Sequence, residues 1–262
     1  MLVLRSLIFN AAFYVNLAFW ALCTTLSLPL PRRMNAIVRI AALWGRTSFW
    51  LMRVIVGTRV EITGTEHIPP GGIIVASKHQ SIWETFALIT VFNDPVYILK
   101  RELTWIPMFG WALLRSGMIP VNRSAGSRAL QEATRRAKTE ITGHGRQLMI
   151  FPEGTRRPPG APPAYKYGVA HLYAELRVPC VPVALNAGLF WPRRSFLRRP
   201  GTIRLEIMPA IAPGMDKMAF HARLQETIET ACDRLLQQGL AELAALGVEP
   251  PANLRQEPPA RP

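Results

Sequence analysis

The sequence predicts an α/β domain whose mixed, largely parallel sheet is flanked by helices, preceded by an N-terminal membrane-associated two-helix element. Three observations carry this. From about residue 60 onward, short strand-like runs alternate with helical patterns, the arrangement that packs helices against a sheet. The run at 73–76 is compact and wholly apolar, as a buried strand is. Residues 6–31 hold no charged side chain, although the chain carries 31 basic and 17 acidic residues and a formal net charge of +14.

The N-terminal stretch comes first. Residues 7–30 contain 18 apolar residues of 24, and as a helix they cover a hydrocarbon core of about 30 Å. Asn10 and Asn16 weaken the stretch and Pro29 ends it. A signal peptide is the rival reading, but no convincing small-x-small cleavage site follows, so the segment is expected to be retained. Residues 34–56 differ. Their only charges are Arg39, Arg46 and Arg53, seven apart, which places all three on one face of a helix. This fits an amphipathic helix at the headgroup level with snorkelling arginines; an ordinary surface helix is the alternative. The first 60 residues contain seven arginines and no acid, and six of the seven follow the apolar stretch. By the positive-inside rule the chain beyond it stays in the cytoplasm. The pattern leaves open whether residues 7–30 cross the bilayer or turn back within one leaflet.

Strands are predicted at 60–63, 73–76, 96–99, 118–121, 147–151, 178–186 and 202–208. Helices are predicted at 81–92, 107–115, 127–142, 169–176 and 216–246. The boundaries expected are 1–58 for the membrane-anchoring helices, 59–248 for the α/β domain and 249–262 for a disordered proline-rich tail. Apolar strands lead into polar motifs at their C-terminal ends, where open α/β sheets place ligands.

The basic excess favours an anionic partner: nucleic acid, an anionic phospholipid membrane or a phosphorylated substrate. Nucleic acid is set aside, because basic nucleic-acid binders rarely carry a 26-residue uncharged stretch at one end. Cys23, Cys180 and Cys232 are odd in number and form no CxxC pair, which fits buried thiols in a reducing compartment. No histidines stand at the short spacing a zinc site needs, so no metal is expected.

Two segments carry chemistry. Ser77-Lys78-His79-Gln80-Ser81-Ile82-Trp83-Glu84 leaves a buried strand and opens a helix with an S-x-x-E capping box. On a regular helix His79 and Glu84 stand about 140° apart. With His79 in the turn before the cap and Glu84 in the first helical turn, they converge. A helix N-terminus keeps the imidazole neutral, and a carboxylate within reach holds its tautomer and stabilises the imidazolium: a general base with an orienting acid. A turn histidine beside a plain capping box explains the same residues. In Phe151-Pro152-Glu153-Gly154-Thr155-Arg156, a strand runs into a tight turn whose amides can face an anion, with Glu153 and Arg156 at the sheet edge.

Together and in this order, these segments resemble the motifs of the glycerolipid acyltransferases, the family of the 1-acylglycerol-3-phosphate acyltransferases. His79 matches the family's catalytic base in its His-x4-Asp motif, and Glu84 stands in place of the aspartate, one methylene longer. The resemblance implies that Glu153, Gly154, Thr155 and Arg156 help bind glycerol phosphate, with Arg156 suited to bidentate phosphate contact. Residues 117–123 resemble the second motif, which makes Arg123 a phosphate-ligand candidate, and Lys100 adds positive potential. Val181, Pro182 and Val183 resemble the fourth motif and are expected to shape the acyl pocket. Arg193, Arg194, Arg198 and Arg199, around Trp191 and Phe196, fit a membrane contact or an acidic acyl carrier protein.

The implied reaction moves a fatty acyl group from acyl-CoA or acyl carrier protein to the free hydroxyl of lysophosphatidic acid, at a bacterial inner membrane, with no cofactor beyond the thioester. Acylation of a lyso-ornithine lipid or glycerol 3-phosphate stays open, as does a non-catalytic, membrane-tethered lipid-binding protein.

Overall fold

The structure is a computed structural model that describes residues 1–29, 36–122 and 126–255, the Ser127 side chain excepted. Arg123, Arg32, Arg33 and residues 256–262 lie outside the described residues.

Seven strands form one sheet: β1 (Thr58–Thr63), β2 (Ile73–Ser77), β3 (Pro95–Lys100), β4 (Ile119–Val121), β5 (Gln147–Ile150), β6 (Cys180–Leu185) and β7 (Gly201–Ile207), in the order β1-β7-β6-β2-β5-β3-β4. Every neighbouring pair is parallel except β6 and β7. From β2 to β6, consecutive strands are linked by helical crossovers, which is how parallel strands are connected and what the alternating pattern predicted. The chain from β6 to β7 returns on the same side, so that pair runs antiparallel. β2 sits in the middle, between β5 and β6, which brings the exits of these three strands together.

Around the sheet stand α1 (Leu2–Ser27), α2 (Ala36–Leu51), α3 (Trp83–Val91), α4 (Phe109–Arg115), α5 (Gly126–Lys138), α6 (Gly168–Leu176), α7 (Ala187–Phe190) and α8 (Lys217–Ala245). The period-2 alternation of β2 divides the core. Ile73 and Val75 face the layer that holds Phe9, Phe13, Trp83 and Phe86 of α1 and α3. Ile74 and Ala76 face Ala133, Leu172, Phe220 and Ile228 of α5, α6 and α8. All strands predicted from the sequence are present within two residues of their expected ends. The short α7 was not predicted, since four residues are too few for a periodic signal.

The N-terminal element is attached to the domain. Phe9 and Phe13 are buried in the main core, each edge-on to Trp191 at 5.3 and 5.1 Å. Asn10 and Asn16, which interrupt the apolar stretch, tie it down. Asn10 Nδ2 donates to Phe196 O (3.0 Å), and Asn16 Nδ2 donates to Ser48 Oγ of α2 (3.1 Å). Trp20 Nε1 donates to Thr47 Oγ1 (3.1 Å). On α2, Arg39 and Arg46 point outward, as does Arg53 in the turn beyond, while Trp44, Leu51 and Ile55 lie against the core. Gly45 lets α2 meet α3, since a Cβ there would stand 2.7 Å from Thr90 Cγ2.

The tail departs from its expectation of disorder. The chain is ordered through Arg255: Arg199 Nε donates to Glu249 O (2.8 Å), Asn253 Nδ2 donates to Pro159 O (3.1 Å), and Leu254 packs on the main core. Proline removes backbone donors, but it does not prevent apolar contact, and Pro251 is buried.

Candidate active site

The site forms where β2, β5 and β6 end. Lys78 N donates to Val183 O (3.0 Å), which carries the β2–β6 ladder one residue past the strand and fixes where His79 begins. His79 Nδ1 lies 2.7 Å from Glu84 Oε1. A carboxylate only accepts, so Nδ1–H donates and Nε2 carries the lone pair. The same Glu84 oxygen accepts from Gln80 N (2.7 Å) and Ser81 N (2.6 Å). The bond from Ser81 N is half of the capping box; the other half is replaced by Trp83 N donating to Ser81 Oγ (3.2 Å). Capping and orienting the imidazole are therefore one arrangement at one oxygen. Glu84 is fully buried and the His79 side chain is mostly enclosed.

One face of the imidazole is covered as well. It stacks on Phe151, with centroids 4.0 Å apart and planes 15° from parallel. Arg157 N donates to His79 O (2.8 Å), so the segment after β5 is bonded to the segment after β2. Gln80 Oε1 accepts from Gly188 N (3.0 Å), which adds the exit of β6.

Lys78 points to the opposite face. It is buried, and its Nζ donates to Glu153 Oε1 (3.1 Å) and to Glu229 Oε1 of α8 (2.7 Å). Tyr165 OH donates to the same Glu229 oxygen (2.8 Å). Burial works against the ammonium, but the Glu229 hydrogen bond and the charges of both carboxylates overcome it and raise the Lys78 pKa. Two carboxylates share one ammonium. Burial, reinforced by the Glu229 charge, raises Glu153 above the usual carboxylate range although Lys78 pulls it down.

The sign of the resulting pH dependence follows from linkage. A carboxyl raised on folding binds more protons folded than unfolded, so its contribution is present below the unfolded value of about 4.3 and is lost as pH rises through the folded value. The stability of Glu153→Gln relative to the parent is expected to increase with pH across the weakly acidic range. Thermal unfolding at stepped pH would read this, and a constant difference would contradict it.

Glu153 thus does not stand open at the sheet edge, as the local turn pattern led one to expect; Lys78 draws it inward. Gly154 takes a left-handed backbone (φ 66), and a Cβ there would lie 3.3 Å from Lys166 Cε and Nζ, so the exposed Lys166 arches over the turn. Thr155 is exposed. Arg156 is half-buried, and Arg193 Nη1 donates to its carbonyl (3.1 Å). Burial and the nearby Arg193 and Arg194 lower the Arg156 pKa, while the charge of Glu84 acts the other way. Three guanidinium groups beside one carboxylate make a site for an anion.

Other candidates sit apart. Lys100 is exposed at the end of β3, 3.6 Å from Glu102. Arg123 lies outside the described residues. Val181 and Val183 are enclosed in the core next to β2, with Pro182 between them, so they reach the site through packing. Arg198 and Arg199 are buried and bonded to backbone carbonyls, which removes them from the expected surface cluster. A polar cleft of about 340 Å³ between β1, β7 and α8 shares no residue with this site, and its Arg204 and Arg234 are paired with Glu61, Glu242 and Glu206. Lys78, Glu229, Tyr165 and Lys166 were not singled out in the sequence. Of these only Lys78 carried a signal, a lysine at the exit of an apolar strand.

This geometry suits proton removal from a substrate hydroxyl beside an anion. Residues 59–186 match the family model described as Acyltransferase. A 1-acyl-sn-glycerol-3-phosphate acyltransferase of Pseudomonas aeruginosa is 39% identical over 184 residues, 70% of this chain and 70% of that protein. One from Limnanthes alba is 30% identical over 193 residues, 73% of this chain and 67% of that protein. The crystal structure of the 1-acyl-sn-glycerophosphate (LPA) acyltransferase PlsC from Thermotoga maritima has the same fold, with a TM-score of 0.75 at 23% identity, covering 90% of this chain and 98% of that one. By class, then, the chain is an acyltransferase, and it belongs to the family of the 1-acyl-sn-glycerol-3-phosphate acyltransferases.

Proposed function

We propose that the protein transfers a fatty acyl group from a thioester, acyl-CoA or acyl carrier protein, to the sn-2 hydroxyl of 1-acylglycerol 3-phosphate, giving phosphatidic acid. The observation that carries this is the 2.7 Å bond between His79 Nδ1 and a fully buried Glu84. His79 Nε2 takes the proton of the hydroxyl as its oxygen attacks the thioester carbonyl. Glu84 stabilises the imidazolium so formed. The tetrahedral intermediate collapses, the carbon–sulfur bond breaks, and the imidazolium returns its proton to the thiolate. The acceptor supplies the nucleophile, so no acyl-enzyme is formed.

Arg156, with Arg193 beside it, holds the acceptor's phosphate, and Arg123 adds cationic potential. Glu153 acts through Lys78 as a positioning group. Removing a charge-assisted contact costs about 1.5–3 kcal/mol. Arg156→Ala is therefore expected to raise KM for lysophosphatidic acid about 10- to 100-fold with a smaller change in kcat. An unchanged KM would remove Arg156 from the phosphate site.

The α1–α2 pair would lie in one leaflet of a bacterial inner membrane, with the domain on the cytoplasmic side. A helix engaged by protein at Phe9, Asn10, Phe13 and Asn16 has too short a free stretch to span alone. The outward Arg39, Arg46 and Arg53 suit anionic headgroups. Acyl transfer by the purified full-length protein, offered lysophosphatidic acid, glycerol 3-phosphate and a lyso-ornithine lipid with each donor, tests the assignment. Phosphatidic acid from lysophosphatidic acid is expected. Turnover confined to another acceptor would overturn the substrate, and no turnover with any pair would overturn the catalytic reading.

A further inference from the structure

The loop and helix after β3 expose more apolar surface than their own core can use. Trp105 is 65% exposed and Trp111 56%, and Ile106, Met108, Phe109 and Leu114 are exposed beside them. Side chains of this size normally face outward singly; six within ten residues form a patch, and such patches mark interaction surfaces.

The segment is built to hold them outward. Gly110 N donates to Ile106 O (2.7 Å), and a Cβ on Gly110 would stand 2.1 Å from Thr104 O, so the turn backs tightly onto α4. Met108 adopts φ 62, a conformation unfavourable to a side-chain-bearing residue, at the tip of this turn.

We infer that this segment is a second membrane-seating surface, whose partner is an anionic lipid bilayer. Continuity is the first reason. α4 touches α1, and α1 leaves Leu4, Leu7, Ile8, Val15 and Leu22 exposed. Exposed apolar side chains therefore stand on both of two helices that touch, one in the N-terminal element and one in the domain. The composition is the second. Tryptophans at the margin suit the headgroup boundary. Arg101 lies over the Trp105 ring at 5.6 Å, Lys100 is exposed next to it, and the one acid there, Glu102, is paired with Lys100. An apolar centre with a basic rim matches an anionic membrane; an acidic carrier protein would need the cations at the centre.

Position is the third reason. The segment follows the C-terminal end of β3, the edge of the sheet at which His79 follows β2. Seating it in lipid brings the site's mouth to the membrane surface, where a lysolipid acceptor and an acyl chain reside. The inference rests on the reading of α1–α2 as a leaflet-inserted hairpin.

The test is spin-label accessibility in the full-length protein, in nanodiscs of three parts phosphatidylethanolamine to one part phosphatidylglycerol. Labels are placed singly through Trp105→Cys, Phe109→Cys and Trp111→Cys, on a Cys23→Ser background in which Cys180 and Cys232 stay buried. Met218→Cys, exposed at the start of α8 on the other side of the sheet, reports water, and Val15→Cys reports α1. The expected result is collision with oxygen and loss of collision with a water-soluble nickel chelate at all three positions, as at Val15. Nickel access like that of Met218 at the three positions, with Val15 still protected, would overturn this inference and leave the hairpin standing. Nickel access at Val15 as well would overturn both. Protection from both reagents at the three positions would mean a protein cover, a second copy of the chain, and would also overturn it. No turnover enters the readout.

Discussion

His79→Ala in the full-length, membrane-bound protein is expected to lower turnover by about 10²–10⁴-fold, with little change in stability. The size follows from losing the base in the step where the hydroxyl attacks. The small effect on folding follows from what remains. Glu84 keeps its bonds from Gln80 N and Ser81 N, so no buried carboxylate oxygen loses its last donor, and His79 O still accepts from Arg157 N. Glu84→Gln separates orientation from charge. It preserves an acceptor for the helix start but not the anion that stabilises the imidazolium, so its turnover is expected to fall while its melting temperature stays near the parent's. If both variants unfolded together with their loss of activity, the pair would be a cap and not a base with its orienting acid.

The second large effect is on stability. Lys78→Met is expected to destabilise the fold by about 3–5 kcal/mol, a fall in Tm of about 6–20 °C for a chain of this size. The reason is burial. Lys78 supplies the ammonium to Glu153 and to Glu229 (3.1 and 2.7 Å), and Glu153 is itself buried. Removing the cation leaves two carboxylates facing each other, with Arg157 Nε, 3.7 Å from Glu153 Oε1, as a longer and less buried offset. Adding Glu153→Gln to Lys78→Met is expected to recover part of the loss, because one of the two stranded charges goes with it. Thermal unfolding of the parent, both single variants and the double variant measures the coupling. A loss of about 1 kcal/mol or less would mean that the cluster behaves as an exposed ion pair does.

What the chain revealed of itself follows the range of each interaction. The strands of the sheet were legible because period and apolarity are local. So was the convergence of His79 and Glu84, since a turn followed by a capping box fixes their relative azimuth within six residues. The Glu153 environment was not legible. Its turn looks open in sequence, and the group that draws it inward is 75 residues earlier, with Glu229 a further 76 residues beyond. Periodicity predicts the helix at 216–246, but it does not identify a charged side chain on it that meets another element. Asn10 and Asn16 read as defects in an apolar stretch, because their partners, Phe196 O and Ser48 Oγ, lie far along the chain. The proline-rich tail through Arg255 was misjudged for the same reason: composition reports what the segment lacks, not the groove it lies in.

Whether His79 acts as the base in a direct transfer is decided by a rapid-quench measurement of thiol release and phosphatidic acid formation in a single turnover, for the parent and His79→Ala side by side, with and without lysophosphatidic acid. One thiol released per phosphatidic acid formed is expected in the parent, none without acceptor, and neither product on that timescale in His79→Ala. A burst of thiol without acceptor, or parental turnover in a folded His79→Ala protein, would contradict it.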